Sequence, residues 1–502
     1  MRLGIVLGVL ALSVATGCRS RALAPEPATE FLARHEAAAR KATAGPATVP
    51  SDTSEIEARV LQLRETWEEQ LRTETASSAD EFGSPAGRDA VEAARGVDFA
   101  SSLAEDLTLE RMLAGAYVRN PTLAAARRRL VGSVEQFAQV TYLDNVLRQY
   151  ASFLRASDTR VRPSLPMDSV TKHHPFPGTL ELKAAIVSRS VEEAQARYRM
   201  ALRQVLAETR STYAEYVYTV RAIAITEETL RYLEQIEETA RGKLAAGTAG
   251  KAHVIQVQVQ VAQIQNEVIT RTRRKDTLRA RLSALLDLPA DAALADPTEP
   301  ALPRAGASRA ALLARAQRDQ PEILLARARA ERMASMIELA EQGTYPELSA
   351  GLSTFEDVSL ATGGSRKARE PFTTRPKVKP DPFFGSKEAY LRESREGAKA
   401  ARDLLRAAED ETAARVTEAS NDLETARRLH DLYRDVQLAQ ARQAYEDAFS
   451  AYGVDRAEFM SVIDALRQWL RFRLDAHGAE RDIQRAYARL EHAVGAPLAA
   501  QE

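Results

Sequence analysis

The sequence predicts a mainly α protein built from two copies of one long antiparallel helical hairpin, and three observations carry that reading. Ordered landmarks recur along the 502 residues: Pro121 and Pro321 are offset by 200, Gly178 and Gly385 by 207, and Gly247 and Gly453 by 206. Near-constant offsets in fixed order mark an internal repeat of about 200 residues. Between Lys183 and Ala246 there is no proline and Gly242 is the only glycine, so one helix runs unbroken for roughly 95 Å at 1.5 Å per residue. Composition agrees: 45% hydrophobic and 28% charged but only 6% aromatic residues describe long amphipathic surfaces rather than an aromatic-filled globule. With 69 basic against 70 acidic residues and a net charge of -1, nothing basic enough to hold nucleic acid is present.

The chain opens "MRLGIVLGVLALSVATGCRS", with Arg2, an apolar run from Leu3 to Val14, and small residues before Cys18. This is a secretory signal, and its end at Ala15-Thr16-Gly17-Cys18 resembles the bacterial lipoprotein signal, which implies removal of residues 1–17 and lipidation of Cys18. Ala15 departs from the leucine usual in that signal. A buried acyl chain contributes about 0.8 kcal/mol per CH₂ to anchoring. Cys18 is the single cysteine, so no intrachain disulfide is expected. No later apolar run is long enough to span a bilayer as a helix, and any crossing is expected from strands. Residues 18–104, rich in Ala, Pro, Ser, Thr and Glu, read as a tether with one helix, "SEIEARVLQLRETWEEQLRTE", where Ile56, Val60, Leu63 and Trp67 share a face.

Two repeats follow, at 105–300 and 301–498, each on the same plan. A helix starts at Pro121 or Pro321, a position that suits proline because the first-turn N–H would lack a partner anyway. A less regular section leads to "PFPG" or "PFFG", then to the long helix. In the first copy Leu202, Leu206, Thr209, Tyr213, Tyr216, Val220 and Ile223 step by fours and threes, a heptad seam. The chain then turns at Gly247 and returns. The return limb holds "VIQVQVQVAQIQ", which alternates like a strand, but Val254, Val257, Val261, Ile264 and Val268 keep three-four spacing after the alternation fails at Ala262-Gln263. Valine costs only a few tenths of a kcal/mol in a helix, so the stretch is expected to be helical. Tyr213, Tyr216 and Tyr218 are read as packing residues.

Duplicated halves, "NP-x-L" at Asn120, and a helical hairpin turning at Gly before an apolar return limb together resemble the TolC-like outer-membrane efflux proteins. The resemblance covers about residues 105–497 and rests on the ordered set, not on one motif. It implies a homotrimer whose helices form a hollow periplasmic α-barrel, with four strands per protomer in an outer-membrane β-barrel. It also implies a role as a passive conduit in a tripartite efflux or type I secretion system, working with a periplasmic adaptor and an inner-membrane transporter. The location implied is the outer membrane, lipid-anchored and reaching into the periplasm. The alternative is a periplasmic helical lipoprotein serving as a structural or adaptor-binding module without a pore.

The strands are where the sequence departs from the family. "TYLDNVLRQYASFLRA" spaces its apolar residues as a helix would. "TLELKAAIV" is a fair strand, "ELSAGLSTFE" after Pro346 a better one, and "SKEAYLRES" is heavily charged. A membrane strand needs about 9–11 residues with an apolar face, so the barrel contribution is expected to be small or degenerate.

Candidate sites lie at the hairpin turns. Gly247, Lys251, Gly453 and Arg456 are the expected adaptor-docking positions, with Thr248 and His253 beside them. Asp455, Glu458 and Asp464 are candidates for an acidic constriction, since a ring of carboxylates attracts cations and repels anions; solvated charge at a helix end is the plainer reading of each. His173-His174 has no nearby Cys or carboxylate ligand and reads as loop. No phosphate loop, nucleophile elbow, metal motif or cofactor site is apparent, and no enzymatic activity is expected.

Overall fold

In a computed structural model the described residues are 53–77, 85–137, 171–173, 179–247, 250–303, 306–342, 349–351, 386–454 and 456–498. The chain divides into two units, Met1–Ile56 and Glu57–Glu502, and both hairpins lie in the second. In order the elements are α1 (Thr53–Ser77), α2 (Pro85–Arg95), α3 (Phe99–Glu105), α4 (Leu109–Arg119), α5 (Pro121–Val134), β1 (Thr171–His173), α6 (Thr179–Ala245) and α7 (Lys251–Leu285). The second half adds α8 (Arg309–Asp319), α9 (Pro321–Gln342), β2 (Ser349–Gly351) and α10 (Ser386–Leu432). A π-helical segment (Tyr433–Gln437), α11 (Leu438–Gly453) and α12 (Phe459–Val494) complete it. No helix among the described residues is long and apolar enough to cross a membrane.

The 67 residues of α6 span about 100 Å. Toward the turns the neighbours run α7, α6, α12, then α10–α11; toward the other end they run α5, α6, α9, α10. Within the second unit the hairpin helices, with the short helices stacked on them, therefore form a row of four at each level. "VIQVQVQVAQIQ" lies inside α7, as its three-four spacing required, with Val254 and Val257 buried.

Short helices complete each row by stacking end to end, and the landmark before each proline shows how. The Asn120 side chain accepts from the N–H groups of Thr122 (3.0 Å) and Leu123 (3.1 Å), capping α5. Its Nδ2 donates to the Leu285 carbonyl at the end of α7, at 3.0 Å. Gln320 repeats the second role, donating to the carbonyls of His492 (3.2 Å) and Ala493 (3.0 Å) at the end of α12. Each amide thus satisfies carbonyls that a helix end leaves without an intrahelical partner. Gly495 adopts φ +77°, and a Cβ there would lie 2.6 Å from the Gln320 Cα; only glycine fits that joint.

Burial aligns the two repeats residue by residue. Val191 and Ala398, Val205 and Thr412, Thr209 and Val416, Thr212 and Ala419, Tyr216 and Leu423, and Thr219 and Ala426 are buried pairs, all 207 apart. In the return limbs the offset is 208: Val254 and Val462, Leu278 and Ala486, Leu282 and Leu490, Leu285 and Ala493 are buried pairs. The second hairpin therefore carries one surplus residue between Ala426 and Val462, and the π-helical turn at Tyr433–Gln437 lies in that interval. A π turn takes in one extra residue without breaking the helix. The turn glycines are landmarks, not equivalents: Gly453 ends α11, whereas Gly247 lies beyond the end of α6 at φ +74°.

Several expectations are corrected. "TLELKAAIV" is the start of α6, because Ala184, Val187 and Val191 also fit three-four spacing and Ala184 and Val191 are buried in the helix packing. "SKEAYLRES" opens α10; its Lys, Glu, Ala and Leu are good helix formers. Between residues 53 and 105 there are three helices, not one, and Val91, Ala94, Phe99 and Leu103 join the main core. His173, expected in a loop, sits in β1, which pairs antiparallel with β2 through Thr171–Gly351, Lys172–Ala350 and His173–Ser349. β2 falls within "ELSAGLSTFE", the stretch judged the best strand. "TYLDNVLRQYASFLRA", Cys18 and His174 lie outside the described residues.

Tyr213 and Tyr216 are fully buried, as packing residues should be. Tyr213 does more: its hydroxyl lies 2.7 Å from the carbonyls of both Leu107 and Thr298. It pins the segment between the repeats against the start of the first, where Leu107 and Pro297 form a parallel bridge. Burial raises its phenol well above the usual range, so it remains a donor.

Candidate docking and gating site at the hairpin turns

The first turn closes with the Gly247 N–H on the Leu244 carbonyl at 3.1 Å. Gly247 holds φ +74° with open space around its Cα, a backbone state that glycine reaches without a Cβ penalty. After Gly250, α7 begins with Lys251 exposed to solvent. At the second turn the Arg456 N–H reaches back to the Ala451 carbonyl at 2.8 Å. Gly453, Arg456 and Glu458 are exposed. Glu458 caps α12 without a side-chain bond to it. Its carbonyl instead accepts from Ser461 Oγ at 2.6 Å.

The carboxylates expected to form a constriction are not gathered by one chain. Asp464 is 67% exposed and sits 3.7 Å from Arg467 of its own helix. Glu458 and Asp464, six positions apart in sequence, project about 120° apart around α12 at about 100° per residue. Asp455 and Thr248 lie outside the described residues.

What the fold does bring together is the two turns themselves. The His253 ring stacks on Phe459 with centroids 4.8 Å apart and planes at 9°. Lys243 Nζ lies 4.7 Å from the centre of the Tyr452 ring, a cation–π contact. Arg467 Nε donates to Gln260 Oε1 at 3.2 Å, from α12 to α7. Val257 shares a buried cluster with Phe459, Val462 and Leu233.

Above the turns lies a feature missed in the sequence. Tyr232, Tyr445 and Trp469 form an aromatic triad with centroid separations of 5.7, 5.3 and 5.3 Å. Arg473 stands 5.2 Å over the Trp469 ring and bonds Glu228 Oε2 at 2.5 Å. The Arg473 hydrogen bond holds the Glu228 carboxyl below its ordinary range, against the opposing effect of burial. Burial pushes the Tyr445 phenol up to about 12. The triad walls an open groove of about 810 Å³ between α6, α11 and α12, rimmed by Arg434, Arg442 and Glu446. The available signal was local enrichment: in a chain with 6% aromatics, residues 445–472 hold Tyr445, Phe449, Tyr452, Phe459, Trp469 and Phe472.

Residues 312–496 match the family model described as outer membrane efflux protein. No curated protein sequence matches the chain. Among solved structures, the chain resembles the outer membrane protein VceC of Vibrio cholerae at 16% identity and a TM-score of 0.58, over 78% of this chain and 97% of that one. It resembles the outer-membrane channel OprN at 18% and 0.60, covering 80% and 92%. The CmeC outer membrane channel of Campylobacter jejuni gives 13% and 0.58, covering 80% and 88%. The resemblance drawn from the duplicated landmarks is borne out, and the fold is that of the TolC-like outer-membrane channels.

Proposed function

We propose that the protein is the outer-membrane channel of a tripartite efflux or type I secretion system, a passive conduit that works as a homotrimer. The supporting observation is the row of four helices: both hairpins turn at the same end, and the outer members of the row make no extended contact with each other. Such a row has a use when copies close it around an axis. On this reading Gly247, Lys251, Gly453 and Arg456 face a periplasmic adaptor, and an inner-membrane transporter supplies the energy. Asp455, Glu458 and Asp464 narrow the tunnel once three copies place their carboxylates around it. Cys18 carries the lipid anchor in the outer membrane, and the chain performs no catalysis.

The test is conductance. Purified full-length protein added to a planar bilayer should give discrete steps and run as a detergent-resistant trimer; a monomer without conductance would overturn the reading. A second reading, a periplasmic helical module without a pore, draws support from the helical starts of α6 and α10, where two membrane strands were expected. Release of a non-conducting monomer from C18S cells would favour it.

A further inference from the structure

The two hairpins share one plan, so the positions where they differ show what helix packing alone does not require. A concentrated difference lies at the groove walled by Tyr232, Tyr445 and Trp469. At the offset of 208, Tyr445, Phe449 and Trp469 stand where the first hairpin has Glu237, Arg241 and Val261, and Arg442 and Arg473 stand where it has Glu234 and Gln265. The first hairpin packs α6 on α7 without rings or an arginine cluster at these places. The π turn, confined to the second hairpin among the described residues, brings Arg434 to the same groove. Such turns recur at functional sites.

The groove has an apolar floor and a charged rim. Tyr445 and Trp469 are buried, with their rings stacked at 16°. Tyr232 and Phe449 are half-buried on either side of Tyr445 and keep ring surface open. Two of the rim arginines are committed. Arg473 is paired with Glu228, which also accepts from the Tyr232 hydroxyl at 3.1 Å, and Arg442 donates to Glu446 at 2.8 Å. Arg434 is exposed and forms no ion pair among the described residues. Its charge is felt by Glu480 of α12, but that carboxylate is already bonded to His477 at 2.9 Å. The rim thus sets three guanidiniums against two carboxylates.

We propose that this groove is a binding site for a small planar aromatic anion, a benzoate-type carboxylate, with its ring against Tyr232 and Phe449 and its carboxylate on Arg434. The surplus charge is positive, and a guanidinium fork matches a carboxylate in shape as well as sign. An organic cation fits less well, because Glu228 and Glu446 already hold arginines. At about 810 Å³ the groove has the size of a ligand pocket, these running from roughly 300 to 1,000 Å³. The site is complete within one chain and goes beyond the conduit, on which it does not depend.

The experiment uses the full chain with Trp67→Phe, which leaves Trp469 as the single tryptophan. The probe is para-nitrobenzoate, with para-nitrobenzamide as its neutral match. The carboxylate should quench Trp469 saturably and the amide should not. Arg434→Glu should weaken binding of the carboxylate by about tenfold or more, the effect of one charge-assisted contact, and Arg434→Lys should keep part of it. Arg406→Glu, about 40 Å away along α10, should change nothing. Unsaturable quenching by both probes, or saturable quenching indifferent to Arg434, would overturn the inference. So would a free chain that ignores the probe while Arg434→Glu loses a co-expressed adaptor, which would give the groove to a protein partner. Quenching is read without a bilayer, so its failure leaves the conduit standing, and a failure of conductance leaves the site standing.

Discussion

Asn120 caps one helix and ties down the end of another, so its loss has two costs. Asn120→Ala removes the cap of α5, about 1 kcal/mol, and strips the Leu285 carbonyl of its partner, about 1 kcal/mol or more in a buried site. The urea midpoint should fall accordingly, while Thr122→Ala, whose backbone N–H and not its side chain is bonded, should change little. At the matching joint, burial lowers the pKa of His492 from 6.5. The unfolded chain therefore takes up a proton near 6.5 that the folded chain refuses. That contribution to stability is fully present above 6.5 and is lost as pH falls toward the lowered folded value. Glu322 behaves alike further down: its hydrogen bond to Arg415 holds its carboxyl below 4.5, and its contribution is lost only in acid below that value. Thermal midpoints of the wild type should drop between pH 7.5 and 5.5, and His492→Gln should flatten that part of the profile. An unchanged slope would refute this assignment.

At the scale of elements, the π turn makes the sharpest prediction. Deleting Val436, which is 44% exposed, removes the surplus residue and lets the π turn revert to α-helix with α11 still in phase, as the offset of 208 beyond it requires. Tyr445 then stays on Trp469, and in a Trp67→Phe background the remaining tryptophan should emit at the wild-type wavelength with helix content preserved. Emission at longer wavelength would show that the surplus is absorbed elsewhere. The sequence disclosed α6, α7 and the joints at Pro121 and Pro321, because few structures other than a helix suit a long proline-free periodicity or a proline in the first turn. It misled at "TLELKAAIV", where a short apolar run satisfies periods of two and 3.6 alike and only the neighbouring turns decide. The π turn was illegible, since one extra residue leaves no compositional trace. So was the aromatic groove, whose members come from helices more than 200 residues apart in sequence. Asp464 and Glu458 were found as charges, but their relation is set by helix phase and by assembly, neither of which a list of acidic residues contains.

At the scale of the whole molecule, a trimeric conduit would repeat each turn carboxylate three times. Asp455→Asn/Glu458→Gln/Asp464→Asn should lower cation preference in bilayer recordings without altering trimer yield; unchanged selectivity would place the constriction elsewhere. Lys251→Glu/Arg456→Glu should reduce recovery of a co-expressed adaptor while the unpartnered channel still conducts.

The single surplus residue of the second hairpin has a consequence for stoichiometry. Because the π turn takes it up before the hairpin turn is reached, α11 ends and α12 begins 208 residues after α6 ends and α7 begins, and the two turns are phased alike. A closed threefold collar would then present six sockets in one phase, told apart by their side chains, and saturation at six copies per collar, against three, would count whether phase or side chains are read.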